Sequence, residues 1–413
     1  MAMNATRRTL LQAGAAAVTL GGGGARAQAD DTIRIGVLTD LSGPYKDGQG
    51  PVSVACAEQA AAEFTAANPG IKVEVLSADH ANRPDTGLSV LRRWFDQRGV
   101  DIVTDIGNSA IAIGARSIVM EKDKIALVTS AGSSDLTGKH CSPNSMHWSW
   151  DSWCLAKSNG TALVEAGGDT WFFVTPDYAF GHAAQADLTA FVEKAGGRVL
   201  GSVNYPFPQT TEFSSFLLQA QSSRAKVVCF TNSGNDLVNS LKQAREFGVN
   251  RRGVRLAAAV AYVTDVIPMG LEVAQGLTIT ETFYWDLNDR TRAFMARIAP
   301  RLPPRTFPNM SQAGNYSGVM HYLKAVREIG VTRAKASGRD VVATMKRMPT
   351  DDDCFGPGTL RADGRKIHPS YLFEVKSPQE SRGPGDVYKL LATTPAVQAF
   401  RPLAEGGCVL DHS

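Results

Sequence analysis

Four short loops combine glycine with hydroxyl and amide side chains: Gly107-Asn108-Ser109, Ser130-Ala131-Gly132-Ser133-Ser134, Pro176-Asp177-Tyr178-Ala179-Phe180-Gly181 and Asn232-Ser233-Gly234-Asn235. Each follows a β-rich run and leads into a stretch with helical spacing. Loops of this kind offer backbone N–H groups, the positive end of a helix dipole and neutral side-chain donors, a set suited to a carboxylate. A hydrogen bond to a charged group contributes on the order of 1.5–3 kcal/mol. The plainer role of the same residues is helix capping.

Groups for bond-breaking chemistry are not arranged to act together. Gly132 to Lys139 comes nearest to a phosphate loop, but it has one residue too many and ends in His140 where Ser or Thr is required. No GxGxxG follows the first β-rich run, no HExxH occurs, and Gly107-Asn108-Ser109-Ala110-Ile111 lacks the second glycine of a nucleophile elbow. The seven histidines are scattered without ligand spacing and read as surface or supporting residues. The pattern predicts binding without turnover, with no metal and no cofactor.

The elements that position these loops alternate. Strands are predicted at 33–38, 71–78, 102–106, 125–129, 171–174, 198–203, 227–230, 254–260 and 277–282. Helices are predicted at 52–67, 86–98, 110–122, 182–194, 212–222 and 236–247, then longer ones at 309–329 and 339–348. Strands separated by helices imply βαβ crossovers and parallel sheets, and in such sheets ligands bind beyond the carboxyl ends of the strands. A Trp-rich stretch, His140 to Trp153, interrupts the rhythm, which restarts at Trp171. The restart implies a second α/β lobe. Near the end, Asp363-Gly364 predicts a hairpin joining Gly358–Leu360 to Tyr371–Val375.

Composition sets bounds on function. The chain has 413 residues, with 43 Lys+Arg against 40 Asp+Glu. Residues 1–27 hold Arg7, Arg8 and Arg26 and no acid, so the remainder balances at 40 basic and 40 acidic side chains. Nothing in that balance asks for nucleic acid or an anionic membrane. Thr6-Arg7-Arg8-Thr9-Leu10-Leu11-Gln12, a weakly apolar Ala/Gly run and Ala25-Arg26-Ala27 read as an export signal cut before Gln28. The paired arginines favour the twin-arginine route, with the general secretory route as the alternative. No cysteine precedes Cys56, so a soluble exported protein without a lipid anchor is expected, most simply in a bacterial periplasm. An oxidising compartment permits disulfides. Cys141 with Cys154, or Cys354 with Cys408, are the candidate staples, and Cys229 in an apolar run reads as a buried thiol.

Ile33-Arg-Ile-Gly-Val-Leu-Thr-Asp-Leu-Ser-Gly-Pro44, Tyr178-Ala179-Phe180-Gly181 and Leu241-Lys242-Gln243-Ala244-Arg245-Glu246-Phe247-Gly248 resemble the type I periplasmic substrate-binding proteins of the leucine/isoleucine/valine class. The likeness extends over essentially the whole chain after residue 28. It implies two doubly wound parallel-sheet α/β lobes joined by a three-strand hinge, with a ligand trapped between them by closure. Lobes are expected at 28–150 with 281–355 and at 151–280 with 356–413. The implied partners are a small carboxylate and the membrane permease of an ABC importer, with the receptor itself a monomer. The segments Phe283-Tyr284-Trp285-Asp286, Phe355-Gly356-Pro357-Gly358, Arg361 to Pro369 and Pro402 to Cys408 are similar to a subgroup that takes up aromatic carboxylates.

In the amino-acid binders an acidic side chain after the strand at 255–260 neutralises the ligand's ammonium. Here the stretch reads Ala257-Ala258-Ala259-Val260-Ala261-Tyr262, with Asp265 as the remaining candidate. A buried ammonium without a partner is costly. By position, the resemblance implies that Asn108, Ser109, Ala131 and Ser133, with Gly132 between the last two, hold the carboxylate. Tyr178, Phe180, Asn232, Ser233 and Gly234 close over it, and Phe283 or Tyr284 stands at the hinge. Asp151 accepts a ligand hydroxyl or caps the helix that follows it. Trp150 and Tyr262 belong to a set of ten aromatics around the expected cleft, with Tyr45, Trp148, Trp153, Tyr178, Phe180, Phe283, Tyr284 and Trp285, of which about a third should line the site. The alternatives are a branched-chain or other amino-acid receptor, and a sensor that does not transport.

Overall fold

The computed structural model describes residues 31–410, so the expected export signal lies outside the described residues. The first sheet contains β1 (Ile33–Thr39), β2 (Val73–Asp79), β3 (Ile102–Asp105), β4 (Ile125–Val128) and β5 (Ser145–His147), all parallel, in the order β2-β1-β3-β4-β5. The second contains β6 (Thr170–Pro176), β7 (Arg198–Tyr205), β8 (Val227–Phe230) and β9 (Arg255–Ala258), again all parallel, in the order β7-β6-β8-β9. Both orders turn back beside the first strand of the lobe. At such a reversal, loops diverge and leave a crevice beyond the strands' carboxyl ends.

Alternate residues of these strands enter different cores, because successive side chains point to opposite faces. Trp171, Phe173, Val227 and Cys229 join one apolar cluster, while Phe172, Val174, Val228 and Phe230 join another. Both faces are helix-covered, and this is why the strands read as continuous apolar runs. Cys229 is a buried free thiol, as its run implies.

The remaining strands are β10 (Thr278–Glu281), β11 (Thr359–Leu360), β12 (Lys366–Ile367), β13 (Ser370–Val375) and β14 (Tyr388–Thr394). Here the expected hairpin needs correction. The Asp363-Gly364 turn forms, with Gly364 at φ +84°, but it joins β11 to the two-residue β12. Pro369 has no N–H to continue that ladder. Strand β13 instead lies between β10 and β14, antiparallel to both, where Phe373 and Val375 enter the second lobe's core. The cysteine pairings also need correction: the disulfide is Cys141–Cys408, and Cys154 and Cys354 are buried thiols. The Trp-rich stretch conceals β5, and the helix Ser152–Glu165 starts within it, its N-cap Asp151 accepting the Cys154 N–H at 2.8 Å.

Three chain segments cross between the lobes and are bonded to one another. Thr282 Oγ1 donates to the Ser149 carbonyl at 2.9 Å, tying the second crossing to the first. Arg365, on the third, donates to the carbonyls of both Trp148 and Trp150. Parts of the segment 356–413 thus reach the first lobe, where Gly364 O accepts the His147 N–H at 2.9 Å and Cys408 meets Cys141.

Candidate ligand-binding cleft

The loops beyond the strand ends face one another across a nearly closed gap with a free volume of about 20 Å³. From the first lobe come Tyr45, Gly48, Gln49, Gly107, Ser109, Ser130 and Gly132; from the first crossing, Trp150; from the second lobe, Tyr178, Phe180, Ser233, Gly234 and Tyr262. Three helices begin here, at Ser109, Ala179 and Gly234. Neither of the last two is capped by the side chain of its N-cap residue; at the Gly234 helix the Asn235 N–H donates to the Pro44 carbonyl at 3.5 Å and the Gly234 N–H meets the Asp265 carboxylate. Gly234 opens its helix at φ +60° with Pro44 and Tyr45 packed against it, a position that suits glycine alone.

Beneath the first lobe's loops, the buried Asp105 carboxylate accepts from Ser130 Oγ, from Thr129 Oγ1 at 3.2 Å and from Asn315 Nδ2 at 3.2 Å. Burial raises its pKa against the pull of those donors. The network fixes the β4 loop, so that Ser130 and Gly132 are presented to the gap by rigid backbone.

Aromatic rings form the walls. Trp150, 2% exposed, meets Phe180 and Tyr262 edge-on at centroid distances of 5.8 and 6.0 Å, and its Nε1 donates to Ser311 Oγ at 2.8 Å. Gly132 makes room for it: a Cβ there would come within 2.8 Å of Phe180 and closer still to the indole. At the rim, the Tyr45 and Tyr178 hydroxyls lie 2.5 Å apart, and Phe207 stacks on both rings at 5.8 and 4.6 Å. This contact joins the two lobes, so the molecule is in its closed form.

No lining residue is an Asp, Glu, Lys, Arg or His. Asp265 is 2% exposed, accepts the Tyr262 N–H at 3.0 Å to cap the helix Val263–Met269, and has its pKa raised by burial to about 7. Glu281, behind it, is raised by burial to about 8 while accepting from Tyr388 OH and Val263 N. Neither is among the lining residues, though Asp265 stands directly behind two of them, its carboxylate also meeting the Gly234 backbone N–H.

Of the expected site residues, Ser109, Gly132, Trp150, Tyr178, Phe180, Ser233, Gly234 and Tyr262 meet in this gap, and the others lie behind or away from it. Asn108 is spent as a cap: its Oδ1 accepts from the Ala110 and Ile111 N–H groups and its Nδ2 donates to Asn82. The Ala131 carbonyl is paired with His147 Nε2 at 2.7 Å, and the Ser133 N–H donates to Ser109 Oγ. Asp151 caps its helix and lies 3.4 Å from Arg365. Asn232 is fully buried and donates to Tyr205 OH and Ser240 Oγ. Phe283 packs on Phe294 and Phe355, and Tyr284 donates to the Gly385 carbonyl, 2.5 Å away. Five of the ten aromatics line the gap. Gln49, Gly48, Gly107 and Ser130 were not expected there. Only Gly107 and Ser130 sit in loops the sequence singles out; Gln49 precedes a helix with nothing in its surroundings to mark it.

Arg365 is the supporting residue that no motif revealed. It is fully buried, and its guanidinium stands over Phe400 at 4.4 Å while holding the carbonyls on either side of Ser149. Burial lowers its pKa to about 10 against the opposing effect of Asp151. Through the backbone it sets where the Trp150 ring stands.

Residues 32–383 match the family model described as periplasmic binding protein. The chain belongs to that family. A periplasmic binding protein of Burkholderia mallei is 40% identical, covering 92% of this chain and 99% of its own, with a TM-score of 0.87. A branched chain amino acid ABC transporter periplasmic ligand-binding protein of Burkholderia xenovorans is 36% identical, covering 91% and 99%, with a TM-score of 0.79. A solute-binding protein of an ABC transporter from Rhodopseudomonas palustris, in complex with 4-hydroxybenzoate, is 20% identical, covering 88% and 97%, with a TM-score of 0.80. This periplasmic binding protein is accordingly a solute-binding protein of the ABC-transporter class, with the type I two-lobe fold, and not an enzyme. Among the described residues no helix is long and apolar enough to cross a membrane, and no cluster of His, Cys, Asp or Glu is arranged to hold a metal. His80, His147, His321 and His368 are buried and pushed by desolvation toward the neutral form, the supporting alternative of their sequence reading rather than the surface one.

Proposed function

We propose that the protein is an exported, monomeric receptor that binds an aromatic carboxylate of the benzoate or cinnamate type between its lobes and delivers it to an ABC permease. The observation that carries this reading is the lining itself: aromatic rings and neutral donors, with no carboxylate to meet an ammonium and Asp265 consumed in a cap. Trp150, Phe180 and Tyr262, which touch one another in this closed form, would part to take a flat ring, each aromatic contact adding about 0.5–1.5 kcal/mol beyond burial. The carboxylate sits against the Ser109 hydroxyl and the uncapped start of the helix Ala179–Lys194; neutral donors at helix starts suffice for one negative charge. The 4-hydroxybenzoate held by the Rhodopseudomonas protein supports the same ligand class. The lobes are 28–150 with 281–355 and 151–280 with 356–413, the β11–β12 hairpin and the disulfide-bound tail reaching across from the second to the first.

The test is a thermal-shift screen against benzoate, 4-hydroxybenzoate, cinnamates, phenylpyruvate and the branched-chain and aromatic amino acids. Ligand at 100 times its Kd adds about 2.7 kcal/mol, which raises Tm by a few degrees. The reading expects shifts with the aromatic acids and none with the amino acids. A response to leucine or valine alone replaces it with an amino-acid receptor.

A further inference from the structure

One part of the second lobe, away from the cleft, is rich in positive charge, of which Lys226 is paired with Asp169 at 2.9 Å. Between Arg224 and Arg255 there are seven Lys and Arg and two acids, Asp236 and Glu246, whereas the chain after residue 27 is in balance as a whole. Asp236 is turned inward, accepting from Tyr205 OH at 2.8 Å. Arg245 and Arg255 line a depression of about 190 Å³. It lies at the end of the sheet opposite the cleft, because Arg255 opens β9 and Thr278 opens β10. Arg245 Nη2 reaches the Gln275 carbonyl at 3.3 Å, while its Nε is buried without a hydrogen-bond partner. Arg255 Nη2 donates to the Ala166 carbonyl at 2.7 Å. Among the described residues no carboxylate pairs with either guanidinium. Leu163, Leu256 and Leu277 form an apolar floor, and the Asn250 and Gln275 amides stand beside the arginines. A neighbouring depression shares Val254 and adds Arg224 and Arg251 beside the exposed Phe247.

We propose that this depression is a second ligand site, separate from the cleft, that takes a phosphate group carried on an apolar body. Two guanidinium groups at one depression share the charge of one doubly charged phosphate, and each, bonded to a single carbonyl and to no carboxylate, keeps donors to spare for it. The apolar floor has no such use for free inorganic phosphate. A soluble phosphate monoester and a phospholipid headgroup share this chemistry, and the experiment separates them.

Phenyl phosphate and inorganic phosphate are titrated calorimetrically into the wild-type chain, R255Q and R245K, with Tm checked for each. R255Q alters an exposed side chain that should leave folding intact, and R245K keeps the charge while removing the planar fork. Phenyl phosphate is expected to bind more tightly than inorganic phosphate, with a loss of about tenfold in each variant and a decline with added salt. Cosedimentation with vesicles containing phosphatidic acid, whose headgroup is a phosphate monoester, forms the second arm. Vesicle binding that R255Q abolishes, without binding of phenyl phosphate, assigns the site to a headgroup. Failure of both probes, or binding that neither variant weakens, overturns the proposal. The cleft takes no part, so its aromatic-acid affinity reports separately and should be the same in all three chains.

Discussion

Gly132 and Arg365 act on the same ring from opposite sides. Gly132 leaves the space that Trp150 fills, and Arg365 holds the backbone from which Trp150 projects. Gly132→Ala should therefore move the indole and cost about 1–3 kcal/mol in ligand binding, measured by calorimetric titration, since an added methyl in a packed site forces its neighbours to shift. Arg365→Met should act mainly on folding. It leaves Asp151 buried without its partner and two carbonyls without donors, and urea denaturation should show a loss of about 3–5 kcal/mol. Ser109, Trp150 and Tyr178 were legible in the sequence because a polar or aromatic residue at a strand-to-helix junction has few other uses. Asn108 and Asp151 are of the same kind and became caps, a distinction that depends on side-chain direction.

At the level of elements, closure rests on loops that meet only when the lobes do. Tyr45 follows β1 in the first lobe, and Tyr178 precedes the helix Ala179–Lys194 in the second, 133 positions along the chain, yet their hydroxyls are 2.5 Å apart. Tyr178→Phe should keep the stacking on Phe207 and lose the hydroxyl pair, weakening ligand affinity by about 0.5–1.5 kcal/mol. Small-angle scattering of the unliganded variant should show a larger radius of gyration than wild type, and an unchanged radius with unchanged affinity would remove the latch role. Most strand and helix positions could be read from the chain, since doubly covered parallel strands announce themselves as apolar runs. Strand β14 could not, because five of its seven residues are exposed, and its place was determined by pairing with β13.

Over the whole molecule, buried acids set the response to pH. Desolvation raises Asp265 to about 7 and Glu281 to about 8, far above their unfolded values. The folded state then holds protons that the unfolded chain releases. Their contribution to stability is complete below about pH 4 and is lost as pH rises through 7 and 8. Asp187, raised by burial to about 6 where it accepts from Ser134 and Ser152, adds in the same direction. Below about pH 6.5 the buried neutral His80, His147, His321 and His368 act in the opposite direction, because the unfolded chain takes up protons there. Tm should therefore fall only between about pH 7 and pH 8, and Glu281→Gln should flatten that decline. An equal slope in wild type and variant would show that Glu281 ionises freely.

What the amino-acid sequence determined by itself is local or periodic: the alternation of apolar runs and helical spacing, the glycine-bearing loops at strand ends, and the lack of an acid in 257–262. These follow from chain geometry and from the cost of burying polar groups, which act at any single position. Which loops face each other, that Cys141 pairs with Cys408 across 267 residues, and that Arg365 fastens the first crossing were decided only in the folded molecule. Each depends on the distance between residues far apart in the chain, and no local pattern encodes that distance.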